Sequence, residues 1–183
     1  DISCYMDNME SLSRMSHPYV VIAPSYMVYS IDFDQFIHTH IDSGADITLL
    51  YHAVDNAKEA YLTCNVLDLN RQKGVQAIEA NHGNKKNQNI YMDTCIMKTE
   101  LFISLVKEAK KLSSMYTLTD VINDKCETLD IRGVAHKGFF ASVTDFPSYY
   151  KANMDLLNYK AAQELFHEDW PIYTRTNDSC PTQ

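Results

Sequence analysis

At 183 residues, with 45% apolar and 22% charged content, the chain has the composition of an ordinary globular protein, long enough for one domain with a real core or for a piece of a larger one. A formal net charge of −8, with 24 acidic against 16 basic residues, argues against a nucleic-acid partner, and no apolar run approaches the roughly 20 residues of a membrane span. The five cysteines (Cys4, Cys64, Cys95, Cys126, Cys180) are widely spaced without a CxxC pair, as in a reduced cytoplasmic protein, and Cys64 and Cys95 read as core strand residues.

The opening DISCYMDNMESLSRM has neither the basic start nor the apolar core of a signal peptide, which points to a processed or truncated chain. Apolar spacing from Met6 to Met15 predicts a helix. The run YVVIAP has the continuous β-branched character of a strand buried on both faces, stopped by Pro24. After SYMVYSIDF, Asp32 or Asp34 can cap a helix through Phe36, Ile37 and Ile41 that ends at Ser43-Gly44. ADITLLYHAV is strand-like, and YLTCNVLDLN with GVQAIEAN forms a hairpin turning around Arg71 to Gly74. A polar loop from Asn81 to Asn89 leads into the strand IYMDTCIM and a helix from Thr99, with Lys107, Lys110 and Lys111 near its C-terminus, where the helix dipole favours cations. A short helix over Thr119 to Asn123 and the strand run TLDIRGVAHKGFF follow. In GFFASVTDFPSYYKANMDLL, Gly138 to Val143 reads as a strand. From Asp145, a cap followed by Pro147 and by Phe146, Tyr149, Tyr150, Met154 and Leu157 at helical spacing predicts an amphipathic helix. LNYKAAQELF continues the regular part, and the tail from about 167 to 183 is extended. Strands interleaved with helices plus one hairpin predict one α/β domain with a mixed, mainly parallel sheet.

Chemistry is sparse in this pattern. The five glycines are too scattered for a phosphate-cradling loop, and HExxH, paired cysteine ligands and GxSxG do not occur. His38 and His40 diverge on a helix, which suits surface or satisfied core histidines better than a shared metal. Of the acidic residues Asp32, Asp34, Asp46, Asp68, Asp93, Asp120 and Asp145, capping outweighs catalysis for Asp32, Asp34 and Asp145, whereas Asp93 falls inside a strand and needs a partner if buried.

Motifs carry the reading further. Gly138 to Leu157 aligns without a gap on a segment like GYWRDVGTIDSFWEANMDLL of the bacterial glucose-1-phosphate adenylyltransferases, with Ala152 to Leu157 (ANMDLL) identical. YVVIAPSYMVYSIDF resembles the family's strand, active-site loop and "MDY" helix start, and HIDSGADITLLYH resembles "HIEKKADVTVA". IYMDTCIMKTELFISLVKEA resembles "SMGIYVFNKDVLLELLKE", and LTDVI resembles "DIIP". The resemblance spans nearly the whole chain and implies a GT-A-like (Rossmann-like) nucleotidyltransferase domain. It would be partial: 1–183 would lack its first strands and the Gly-rich GGxGxRL turn, and the tail from about 167 would lead toward a C-terminal β-helix domain.

The departures imply a changed role. The family's metal-binding Asp in "AGDHIYKMDY" aligns with Tyr26 and the Asp of "YWRDVGT" with Ser142, preceded by Ala141 in place of Arg. The sugar-phosphate Lys of "FxEKP" aligns with Asn81, and the Ser of "SMGIYVF" with Tyr91. Neither Tyr nor Ser supplies a carboxylate for Mg²⁺. The resemblance therefore implies a cytoplasmic regulatory-type subunit of bacterial glycogen biosynthesis, where a catalytic partner forms ADP-glucose from ATP and glucose 1-phosphate. Mg²⁺ is expected only for that partner, and sugar phosphate or nucleotide would bind here weakly. Two alternatives stay open: an active nucleotidyltransferase using displaced ligands such as Asp32, Asp93 or Lys85, and an interaction module with no nucleotide link.

Overall fold

Two short helices, α1 (Ile2–Asp7) and α2 (Met9–Ser13), precede β1 (Tyr19–Ile22), β2 (Met27–Tyr29), α3 (Phe33–Ser43) and β3 (Ile47–Val54). The hairpin strands β4 (Asn65–Leu69) and β5 (Val75–Ala80) follow, then β6 (Gln88–Lys98), α4 (Thr99–Ala109), α5 (Leu118–Asp124), β7 (Ile131–Ala135), β8 (Phe140–Ser142), α6 (Phe146–Asp155) and α7 (Tyr159–Leu165). The computed structural model describes residues 2–14, 16–111, 117–167, 169 and 172. Most of the tail read as extended lies outside the described residues, as do Met15 and Cys180.

Local chemistry explains the helix ends. Asp32 accepts from Gln35 N at 3.0 Å and caps α3, which Gly44 ends in a left-handed conformation at φ 67°. Asp145 accepts from Ser148 N at 2.8 Å, and the Ser148 hydroxyl faces back to Asp145 N, a reciprocal cap on α6 with Pro147 in its first turn. Asp34 lies in the first turn of α3.

The main sheet runs β5-β4-β6-β3-β7, with β1 also pairing β6, and β2 pairs β8 in a separate ribbon. The α/β class and the mixed sheet stand as expected, but the balance of strand directions is corrected. The β3–β7 pairing is parallel, whereas β1–β6, β3–β6, β4–β5, β4–β6 and β2–β8 are antiparallel. Continuous apolar runs report that both faces are covered and carry no information on a neighbour's direction. In β3, Ile47, Leu49 and Tyr51 face the core layer of α1, α4 and α5, while Leu50 faces the layer holding Phe36 of α3 and Phe140 of β8. Helix α4 buries Phe102, Leu105 and Val106 in the first layer, each contributing about 1.5–3 kcal/mol.

The run TLDIRGVAHKGFF is two strands in two sheets. Gly138, at φ 105°, sits in the turn that carries the chain from β7 to the ribbon. Helix α6 forms where expected, but Phe146, Tyr149, Tyr150, Met154 and Leu157 are exposed, and Ala152 is its buried residue.

Candidate functional site

The ribbon brings two distant stretches together. Met27 pairs with Ser142 and Val28 with Ala141, and Val143 N donates to Tyr26 O at 2.8 Å. Tyr26 and Ser142, 116 positions apart in sequence, are thus neighbours. Each is satisfied by the chain's own groups. Tyr26 donates its hydroxyl to Asp93 Oδ2, and the Cys64 thiol donates to Ser142 Oγ at 3.3 Å. Burial raises the Cys64 thiol above its ordinary value despite that bond.

Asp93 owes its place to a break in β6. Tyr51 pairs with Tyr91 but Leu50 with Thr94, so Met92 and Asp93 are extra residues in the ladder. Asp93 takes a left-handed backbone at φ 46°, which costs a non-glycine residue about 1 kcal/mol or more. Its Oδ1 is buried and has no hydrogen-bond partner among the described residues. Burial raises its carboxyl above the usual range, the Tyr26 hydroxyl opposing in part, and burial together with Asp93 raises the Tyr26 phenol. In the alignment of IYMDTCIM on "SMGIYVF", Asp93 stands where that motif has glycine, a signal available in the sequence and missed there.

Asn81 is 3% exposed and fully committed. Its Nδ2 donates to Ala57 O at 2.9 Å, Tyr61 O at 3.0 Å and Ala60 O at 3.3 Å, and its Oδ1 accepts from Gly83 N at 3.0 Å. Its backbone N also donates to Cys64 O at 2.9 Å, linking it through Cys64 to Ser142. Tyr91 is buried in the core beside Cys95, and burial pushes that thiol up to about 12. Tyr26, Asn81 and Ser142 are thus linked through Asp93, Cys64 and Val143, with Ala141 beside Ser142 in the ribbon, whereas Tyr91 lies in the core layer away from Cys64. Of the other acidic and basic candidates, Asp93 is in this cluster, Lys85 is exposed in the 81–87 loop, and Asp32 lines a separate cavity beside Gln35 and Lys137. His40 is buried and bonded to Thr48 at 2.8 Å and His38 is exposed, as the sequence indicated.

Two cavities adjoin the cluster. One, of about 290 Å³, lies between Tyr61, Ala141, Ser142 and the start of α6. The other, of about 450 Å³, is bounded by Asn65, Ile78, Asp93, Thr119, Asp120 and Asn123. Near the ribbon, His136 Nε2 donates to Ser30 O at 3.0 Å, which leaves its Nδ1 to accept from His52 Nδ1 at 3.1 Å. Burial, then the neighbouring His136, lowers His52 to about 4, and burial lowers His136 as well. His52 packs on Phe140, which stacks on Tyr61 at 5.5 Å.

The fold matches that of HddC from Yersinia pseudotuberculosis at a TM-score of 0.62, with 16% identity over 79% of this chain and 58% of that one. The shared fold is the GT-A-like (Rossmann-like) α/β class expected from the sequence. In sequence, the chain is 26% identical to the glycogen biosynthesis protein GlgD of Geobacillus stearothermophilus over 98% of its length and 42% of the relative's. It is 25% identical to the glucose-1-phosphate adenylyltransferase of Halalkalibacterium halodurans over 95% of its length and 46% of that enzyme's. The chain is similar to the glucose-1-phosphate adenylyltransferases and GlgD proteins, as its motifs indicate, and it spans less than half the length of these curated relatives. No family model matches it. Among the described residues no helix is long and apolar enough to cross a membrane.

Proposed function

We propose that this chain is part of a regulatory-type, non-catalytic subunit of glucose-1-phosphate adenylyltransferase, working in the cytoplasm beside a catalytic subunit in glycogen biosynthesis. One observation carries the reading: Tyr26 and Ser142, the positions aligned with the family's two metal-binding carboxylates, are adjacent, and both bear neutral hydroxyls already engaged by Asp93 and Cys64. Mg²⁺ takes near-octahedral oxygen coordination built on carboxylates and substrate phosphates. Two hydroxyls and one carboxylate that shares its exposed-side oxygen with a phenol do not fit that ion, so no nucleotidyl-transfer step is assigned to this chain. Asn81, in the place of the sugar-phosphate lysine, acts as a loop clamp instead. On this reading residues 1–183 are one partial nucleotidyltransferase domain, with the tail from about 167 leading toward a further domain, and the intact subunit joins its partner in a hetero-oligomer.

The test is titration of the intact polypeptide into a catalytic glucose-1-phosphate adenylyltransferase while following ADP-glucose formation and complex size. A change in substrate saturation or effector response at a defined stoichiometry is expected. No complex and no kinetic effect would reject the reading. Asp93 lends weight to the second possibility, a nucleotidyltransferase with a displaced ligand, because it brings a carboxylate to the cluster from another strand. That possibility requires Mg²⁺-dependent pyrophosphate release that Asp93→Asn abolishes.

A further inference from the structure

The cavity of about 450 Å³ beside the β6 bulge is within the size range of small-molecule sites. Its walls are built from four separate elements: Asn65 opens β4, Ile78 lies on β5, Asp93 is in the bulge of β6, and Thr119, Asp120 and Asn123 lie on α5. The polar groups are unevenly committed. Asn123 Oδ1 accepts from Ile78 N at 2.7 Å, which leaves its amide N–H groups available, and Asp120 engages Thr117 through Oδ2. The side chains of Asn65 and Thr119 have no hydrogen-bond partner among the described residues. The wall thus offers amide donors, hydroxyls and carboxylate acceptors around an apolar patch at Ile78 and Ala80.

We propose that this cavity binds an unphosphorylated polyhydroxyl ligand, a mono- or oligosaccharide, in preference to a sugar phosphate. Amides and carboxylates match vicinal hydroxyls, and the C–H face of a sugar ring packs on small apolar side chains. A phosphate group placed among Asp93 and Asp120, in a chain of net charge −8, meets like charge from the walls and from the molecule as a whole. The inference rests on the regulatory reading in one respect, that the cleft keeps binding while losing the chemistry.

The test is calorimetry and saturation-transfer NMR on the intact polypeptide with glucose, maltotriose and glucose 1-phosphate as probes. Glucose and maltotriose bind, and glucose 1-phosphate binds roughly tenfold more weakly. Asn65→Ala and Thr119→Val each weaken the neutral sugars by about 3- to 10-fold without moving the thermal midpoint, the loss expected for one ligand hydrogen bond. Asp93→Asn narrows the gap between glucose and its phosphate. Equal or tighter binding of glucose 1-phosphate, no binding of neutral sugars, or wild-type binding by both wall variants would each overturn the proposal. Neutral-sugar binding with no effect on a catalytic partner would support this site and count against the regulatory reading alone.

Discussion

Tyr26 donates its hydroxyl to Asp93 Oδ2, and among the described residues no second group satisfies the buried Oδ1 of that carboxylate. This bond, together with the contact between the Tyr29 and Thr94 hydroxyls at 2.6 Å, joins the ribbon to the β6 bulge. Removing the donor in Tyr26→Phe leaves the carboxylate bare and costs about 1–3 kcal/mol. Asp93 is held above its unfolded value, so the native state keeps a proton that the unfolded chain has released, and stability from this group is lost as pH rises through the folded value. The Tyr26 bond lowers that value, and without it the window widens. Urea denaturation at several pH values is expected to show the Tyr26→Phe penalty small in acid and larger at neutral pH.

Asp93→Asn is expected to stabilise the protein at neutral pH. Asparagine tolerates the left-handed backbone at φ 46° well, its carbonyl oxygen still accepts from Tyr26, and no charge is buried. Thermal unfolding should show a higher midpoint than wild type, by a few degrees for each ~1 kcal/mol gained.

How far the sequence could be read follows the range of each signal. Capping needs only residues within one turn, so Asp32, Asp145 and Gly44 mark the ends of α3 and α6 correctly. The hairpin of β4 and β5 is equally local. Strand direction depends on residues far apart, so the parallel bias was misjudged. Strand β2 is three residues long and exists because β8 pairs with it, a contact invisible in MVY alone. The alignment marked Tyr26 and Ser142 as related positions, whereas their adjacency and the roles of Asp93, Cys64 and Asn81 come from tertiary contacts. The apolar residues of α6 were legible as a helix, but periodicity cannot say that Phe146, Tyr149 and Leu157 stay exposed.

Asn81→Ala is expected to be among the most damaging single changes in the chain. It strips donors from the carbonyls of Ala57, Ala60 and Tyr61 and an acceptor from Gly83 N, all near a buried position. A loss of about 2–4 kcal/mol is expected from the unpaired groups, with faster amide exchange confined first to residues 57–61 and 81–83. Asn81→Lys, which recreates the family residue, should destabilise similarly and yield no activity.

Acid should weaken the His52–His136 contact. Both histidines are held below the ordinary value of 6.5, His52 at about 4, so the unfolded chain takes up protons that the native state refuses. Their contribution is full above about pH 6.5 and falls as pH drops toward 4. His52→Asn keeps a donor toward His136 and removes one titrating group. Its stability should fall less steeply than wild type across that window, measured by denaturant unfolding.

On the proposed reading, the cleft of this chain transfers no nucleotide. Pyrophosphate release by the intact polypeptide alone, with Mg²⁺, ATP and glucose 1-phosphate, tests it most directly. No release above the background of heat-inactivated protein is expected. Sustained release that Asp93→Asn abolishes would contradict it and would assign Asp93 the role of a displaced metal ligand.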